Sequence, residues 1–147
     1  MGGVVMKKRI EPRGWLKKFL ETQMDGLTGN IEAAGYPYDR SVWGNPDYRP
    51  EKMDLSAWWP CEQTGYWIDG YTRCAILLKD QKAIEKAKDI IYAVIDHPDE
   101  DSYLGPAALK EHGETIFRWS HVVFFRACMA LYDDNGDRRI PVSYTHL

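Results

Sequence analysis

Glu62, Tyr66, Asp69 and Arg73 follow one another at i, i+4, i+7 and i+11. On an α-helix that spacing puts all four on one face. The face joins two carboxylates, a phenol and a guanidinium, with the indole of Trp67 beside it. Carboxylates accept hydrogen bonds from sugar hydroxyls, and aromatic rings stack on the apolar faces of sugars. The pattern therefore suits a carbohydrate cleft. It also suits a solvated face held by an Asp69–Arg73 ion pair at i, i+4. Gly70 lies inside the same run, where it costs a helix about 1 kcal/mol relative to Ala. Its presence implies close approach by a neighbouring helix or a ligand.

Further along, Trp119 and His121 sit near the start of another helical stretch. Trp119 joins Glu62, Tyr66, Trp67 and Asp69 as a candidate substrate-binding residue, all five facing an interior cleft. A lone histidine such as His121 reads as a packed structural residue. Glu111 and Glu114 could serve as acid and base only as carboxyls at a defined separation, which position in the chain does not supply. The acidic run 96–101 lacks the Gly and Glu spacing of an EF-hand and reads as a solvated loop. Cys61, Cys74 and Cys128 form no C-x-x-C pair, so they read as buried free thiols, and no structural zinc or other cofactor is expected from this chain itself.

The 147 residues make about one domain. Lys+Arg 19 minus Asp+Glu 22 gives a formal charge of −3, too near neutral for a dedicated nucleic-acid binder. No apolar run reaches about 18 residues, and no apolar segment of signal-peptide length follows the basic N-terminus. A cytoplasmic protein with no membrane or nucleic-acid partner is expected. The chain holds 6 Trp, 9 Tyr and 4 Phe. That much ring surface implies a large core, an aromatic cleft, or both.

The elements that must position these residues are all helical. Pro12 suits a first turn, and Trp15, Leu16, Phe19, Leu20, Gln23 and Leu27 form an apolar stripe, which predicts a helix over 12–27 that buries this face. Residues 28–59 mix Gly and Pro with six aromatic residues and keep no periodicity. They are too aromatic for disorder and read as an ordered loop lining a cleft. Helices are predicted over 61–79, over 81–96 with Asp80 as N-cap, and over 115–134. The first two of these must form an antiparallel hairpin, because their link is so short. Residues 97–114 read as a loop. Asp137 looks like the cap of a further helix that Pro141 cuts off. The fold class is all-α, an array of helical hairpins, with residues 1–11 as an extension starting at Met1 or Met6.

The last six residues, Val-Ser-Tyr-Thr-His-Leu, resemble a translation of the mosaic-end adapter of transposon-based sequencing libraries, and Pro141 is codon-compatible with it. Residues 141–147 are therefore expected to be adapter-derived, and the chain to be an N-terminal piece of a longer protein.

Pro12-Arg13-Gly14-Trp15-Leu16-Lys17, Glu21, Gln23 and Gly26-Leu27-Thr28-Gly29 resemble the opening of the β-L-arabinofuranosidase-like proteins, glycoside hydrolase family 127. So do Glu62 with Tyr66-Trp67-x-Asp69-Gly70, Leu77-Leu78-x-Asp80, Tyr103-Leu104-Gly105-Pro106, Trp119, and the Leu131-Tyr132…Gly136-Asp137 turn. The resemblance covers about residues 10–140. Two features depart from it: Cys61 stands where relatives carry Trp before the Glu, and residues 97–101 replace a Gln-rich turn. The resemblance implies an α/α barrel of six helical hairpins with a downstream β-sandwich. It implies retaining hydrolysis of terminal L-arabinofuranosides by a cysteine nucleophile beside a zinc, with a glutamate acid/base. Those motifs belong to a later part of the catalytic domain, and none of the three cysteines here matches them. No catalytic or metal role is carried over, and any zinc would belong to the full-length parent.

A non-catalytic sugar-binding or scaffold protein on the same toroid is the alternative, and a polysaccharide lyase a weaker one. A TPR-type array lacks its 34-residue repeat here. A barrel of about twelve helices would not close in this chain. Trp119, Val122, Val123, Phe124, Phe125 and Met129 would then be partly uncovered. About 400 Å² left wet at roughly 25 cal/mol per Å² would forfeit some 10 kcal/mol of burial, so the isolated chain is expected to be inactive and to aggregate or pack loosely.

Overall fold

The computed structural model describes residues 10–45, 47–50, 58–111 and 114–144, without the side chains of 114–118 and 142–144. Its α-helices are α1 (Gly14–Asp25), α2 (Trp58–Leu78), α3 (Gln81–Ile95), α4 (Ala107–Glu111), α5 (Glu114–Asn135) and α6 (Arg139–Tyr144). A 3₁₀ turn spans Ile31–Ala34, and no strand occurs among the described residues. The fold is all-α, as its periodicity predicts. Residues 1–9, with both candidate start methionines, lie outside the described residues, as do 145–147 of the adapter-like run.

The predicted helices occur with shifted ends. α2 begins before Pro60, which occupies its first turn, where backbone N–H groups have no helical acceptor and a missing one costs nothing. Asp80 caps α3 as expected, its carboxylate accepting from the Ala83 amide at 3.1 Å. Only Lys79 and Asp80 separate α2 from α3, so the two form the expected antiparallel hairpin.

Cross-contacts order α2 against α5. Glu62 and Tyr66 meet Trp119, Gly65 meets Val123, and Asp69 meets Arg126. Residue numbers rise together on both helices, so α2 and α5 run parallel. Cys61 and Ile68 of α2 share one buried cluster with Phe124, Ala127, Cys128 and Leu131 of α5 and Ile91, Val94 and Ile95 of α3.

Several expectations are corrected. α1 buries none of its residues, and Trp15 is 80% exposed with Phe19 and Leu27 also open. It is held at both ends: Lys79 pairs with Glu11 just before it at 2.6 Å, Met24 packs on the Tyr71–Ala75–Ala83 cluster, and the Asn30 side-chain amide donates to the carbonyls of Asp25 and Gly26. α1 lies along the second half of α2, tied to it before its first turn and after its last, without fully burying any of its own side chains. Residues 97–114 are not all loop, since α4 lies within them.

Pro141 does not cut off the last helix. It stands in the first turn of α6, Asp137 accepts from the Arg139 amide at 3.0 Å, and Ile140 is fully buried. Val123 and Phe124 are also fully buried rather than uncovered. The aromatic loop does the covering: Trp43 stacks on Phe124 with centroids 4.2 Å apart and donates to the Cys61 carbonyl at 2.9 Å. Gly70 has no close neighbour, for nothing lies within 4 Å of where its Cβ would stand. The close approach falls at Gly65, where a Cβ would sit 2.7 Å from Val123 Cγ2.

Candidate functional site

Because α2 and α5 run parallel, their N-terminal halves lie side by side. Trp119 Nε1 donates to Glu62 Oε1 at 3.1 Å and to Tyr66 Oη at 2.8 Å. The three side chains form one cluster with its rings open: Trp119 is 53% and Tyr66 41% exposed. An indole tethered at its edge by two acceptors keeps its orientation and offers its surface to a flat apolar partner.

Two turns down the same seam lies Asp69, which is buried. Its Oδ1 accepts from Arg73 Nε at 2.6 Å, and its Oδ2 pairs with Arg126 Nη2 at 3.0 Å. Arg73 Nη2 also donates to the Arg126 carbonyl at 3.2 Å. Both carboxylate oxygens are thus engaged by cations. Asp69 clamps two guanidiniums instead of presenting an open acceptor. The Asp69–Arg73 pair at i, i+4 is the one its spacing predicts. Arg126 adds a partner from another helix. Its signal was present in the sequence as i+7 from Trp119, but nothing in one helix's pattern tells which helix it will meet.

Trp67 is parted from the other four candidates. It points off another side of α2, where its Nε1 donates to the Thr28 carbonyl at 2.8 Å and Lys86 Nζ stands 5.5 Å from the ring centroid. There it lines a separate cavity of about 250 Å³ together with Tyr38, Arg40, Ser41 and Asp89. The 28–59 loop supplies one wall of that cavity, in keeping with its reading as a cleft-lining segment.

The remaining candidates hold structural positions. His121 Nε2 donates to the Leu104 carbonyl at 2.9 Å, and its ring packs on Trp43, Tyr103 and Phe125. Glu111 pairs with Arg49 at 2.6 Å, while the Glu114 side chain lies outside the described residues. Within the acidic loop, Asp99 accepts from the amides of Asp101 and Tyr103 and from Lys110 Nζ, so it organises the loop.

Cys61 and Cys128 are buried, Cys74 is partly buried, and none of the three is in a disulfide. Burial pushes the Cys61 thiol up to about 12 and also raises Cys74. Thiols held protonated in this way are poor nucleophiles and poor metal ligands. Among the described residues, no group of three or more His, Cys, Asp or Glu is placed to hold a metal ion. These residues do not fit the zinc that the family resemblance implies for a parent enzyme, and no step is routed through one.

No helix among the described residues is long and apolar enough to cross a membrane. No protein-family model matches the chain, and no curated protein and no solved structure matches it.

Proposed function

We propose that this chain is the N-terminal part of a cytoplasmic carbohydrate-active enzyme of the α/α-barrel type, a glycoside hydrolase acting on terminal sugars such as L-arabinofuranosides. The Glu62–Tyr66–Trp119 cluster forms part of its sugar-binding surface. The observation that carries this reading is the pairing of an open indole with a fixed carboxylate beside it. The indole serves as the stacking platform, and Glu62 and the Tyr66 phenol supply acceptors for ring hydroxyls. Support for the barrel comes from the parallel α2 and α5. Successive hairpins of an α/α toroid set alternate helices parallel as an inner ring, and α3 runs antiparallel to α2 as an outer helix would. The resemblance of residues 10–140 to glycoside hydrolase family 127 points the same way.

A non-catalytic sugar-binding protein on the same fold is the second reading. What favours it is the engagement of both Asp69 oxygens by arginines, which leaves Glu62 as the open carboxylate of the seam. Two measurements test the proposal. Methyl L-arabinofuranoside, titrated into the 147-residue chain, should change tryptophan fluorescence saturably, and Trp119→Ala should abolish the change. An unaltered response in Trp119→Ala would remove the platform. A panel of aryl glycosides, applied to the open reading frame extended past codon 140, then separates a hydrolase from a binder by release of the phenol.

A further inference from the structure

The seam carries more than a neutral sugar needs. Below Tyr66 and Trp119, two guanidiniums share a single carboxylate. Arg73 and Arg126 bring two positive charges and Asp69 one negative charge; Glu62, at the other end of the seam, brings the second negative charge, so the two guanidiniums mark one end of a seam that balances overall. Each Asp69 oxygen already faces one guanidinium. The arginine side chains are 47% and 56% exposed, and they open onto the same side of the α2–α5 seam as the tethered indole. Arg73 spends its Nε and Nη2 on Asp69 and the Arg126 carbonyl, and Arg126 one Nη on Asp69. Each guanidinium has five donors, so several stay available. The whole chain has a formal charge of −3, so the exposed guanidinium pair is a local feature rather than part of a basic surface.

Position sets what could use it. Trp119 and Arg126 are seven residues apart on one helix, about 10 Å along its axis. Glu62 and Tyr66 flank the upper end of that path, and the arginines close its lower end. A ligand with one flat apolar ring on Trp119 and an anionic group further along would meet both features. Guanidinium forks recognise carboxylates with paired, charge-assisted hydrogen bonds.

Resting on the sugar-binding reading above, we propose that the preferred ligand is an acidic saccharide of at least two rings. One ring stacks on Trp119, and a uronate carboxylate on the next is held by Arg126 and Arg73. Asp69 acts as a positioning residue that keeps the two guanidiniums side by side.

The experiment titrates the 147-residue chain with three disaccharides by calorimetry: digalacturonate, its methyl ester, and the neutral galactose counterpart. The acid should bind at least tenfold more tightly than the other two at low salt, and the advantage should shrink as ionic strength rises. Arg126→Gln should lower affinity for the acid to that of the ester and leave the ester's affinity unchanged. The ester removes the charge from the ligand's side, so the test holds even if an arginine variant folds poorly. Equal binding of all three would overturn the carboxylate assignment while leaving the sugar-binding surface in place. Binding of none would overturn both. Tight binding of the acid that survives Trp119→Ala would mean a bare anion site and would overturn the saccharide assignment.

Discussion

Gly65 and Gly70 stand five residues apart on α2, and alanine should act in opposite directions at the two. At Gly70 the added methyl meets nothing within 4 Å and the position is exposed. Only the helix term remains, so Gly70→Ala should stabilise by about 1 kcal/mol. At Gly65 the methyl would lie 2.7 Å from Val123 Cγ2, with the Phe124 amide nitrogen and the Ser120 carbonyl oxygen at 3.5 Å. Carbon atoms prefer about 3.5–4.0 Å, so the overlap is close to 1 Å. Val123 is fully buried and β-branched in a helix, with one favoured rotamer, so it cannot swing aside. The two helices must separate, and overpacking of that kind costs about 1–3 kcal/mol. Set against the same helix gain of about 1 kcal/mol, Gly65→Ala should be neutral to about 2 kcal/mol destabilising. Thermal melts followed by far-UV circular dichroism read the difference. At roughly 2–4 °C per kcal/mol for a chain of this size, Gly70→Ala should melt a few degrees higher and Gly65→Ala a few degrees lower. If Gly70→Ala destabilised as much as Gly65→Ala, some element would have to cover Gly70, and the open face of α2 would be wrong.

Phe124→Ala removes a fully buried ring stacked on Trp43 and should cost about 3–5 kcal/mol, seen as a lowered urea midpoint together with loss of near-UV tryptophan signal. In native protein at pH 8, Ellman's reagent should titrate at most one thiol, Cys74, against three in denaturant, because Cys61 and Cys128 are buried and the Cys61 thiol is pushed up to about 12. Asp137 is held well below the usual carboxylate range, first by the Arg139 guanidinium and then by the Arg139 amide and the Tyr92 hydroxyl. A depressed folded value means stability that is present above the unfolded value, about 3.9, and lost as pH falls through the folded one. Arg139→Ala should therefore flatten the dependence of stability on pH in the acid range below about pH 4, as measured by urea titrations at a series of pH values.

How much of this was legible follows from the range of the forces involved. Asp80, with Ala83 three residues on, and the 3.6-residue period of α3 are local, and a single segment displays them. The Asp69–Arg73 pair is local too. Asp69–Arg126, Trp119–Glu62 and Trp67–Thr28 join segments dozens of residues apart. Spacing gives the face of α2 that each side chain occupies but not the neighbour it finds there. The same limit hid the separation of Trp67 from the other four candidates. Position 67 lies one residue, about 100° of helix rotation, from Tyr66, enough to turn it toward the 28–59 loop and the cavity beside α3. The α1 stripe failed for a related reason. Trp15, Phe19 and Leu27 signal a helix with an apolar face, but an apolar face does not by itself bring a partner.

α5 divides into two faces, and the division separates a packing surface from a ligand surface. Val123, Phe124, Ala127, Cys128 and Leu131 are buried, and the 28–59 loop contributes Trp43 and Tyr48 to the same core. The deficit of buried surface expected for an open ring is therefore smaller than a count of missing helices implies. The opposite face holds Trp119, Val122, Arg126 and Met129 and lies beside Glu62, Tyr66 and Arg73. A face covered by another helix carries few charges without a partner, because burying an incompletely paired charge costs far more than a methyl group returns. Three of these seven residues are charged, and each arginine keeps donors beyond those Asp69 and the Arg126 carbonyl accept. A surface of that composition is stable in water and is better covered by something that brings its own acceptors. An acidic saccharide, with an apolar ring face for Trp119, hydroxyls for Glu62 and Tyr66 and a carboxylate for the arginines, brings all of them.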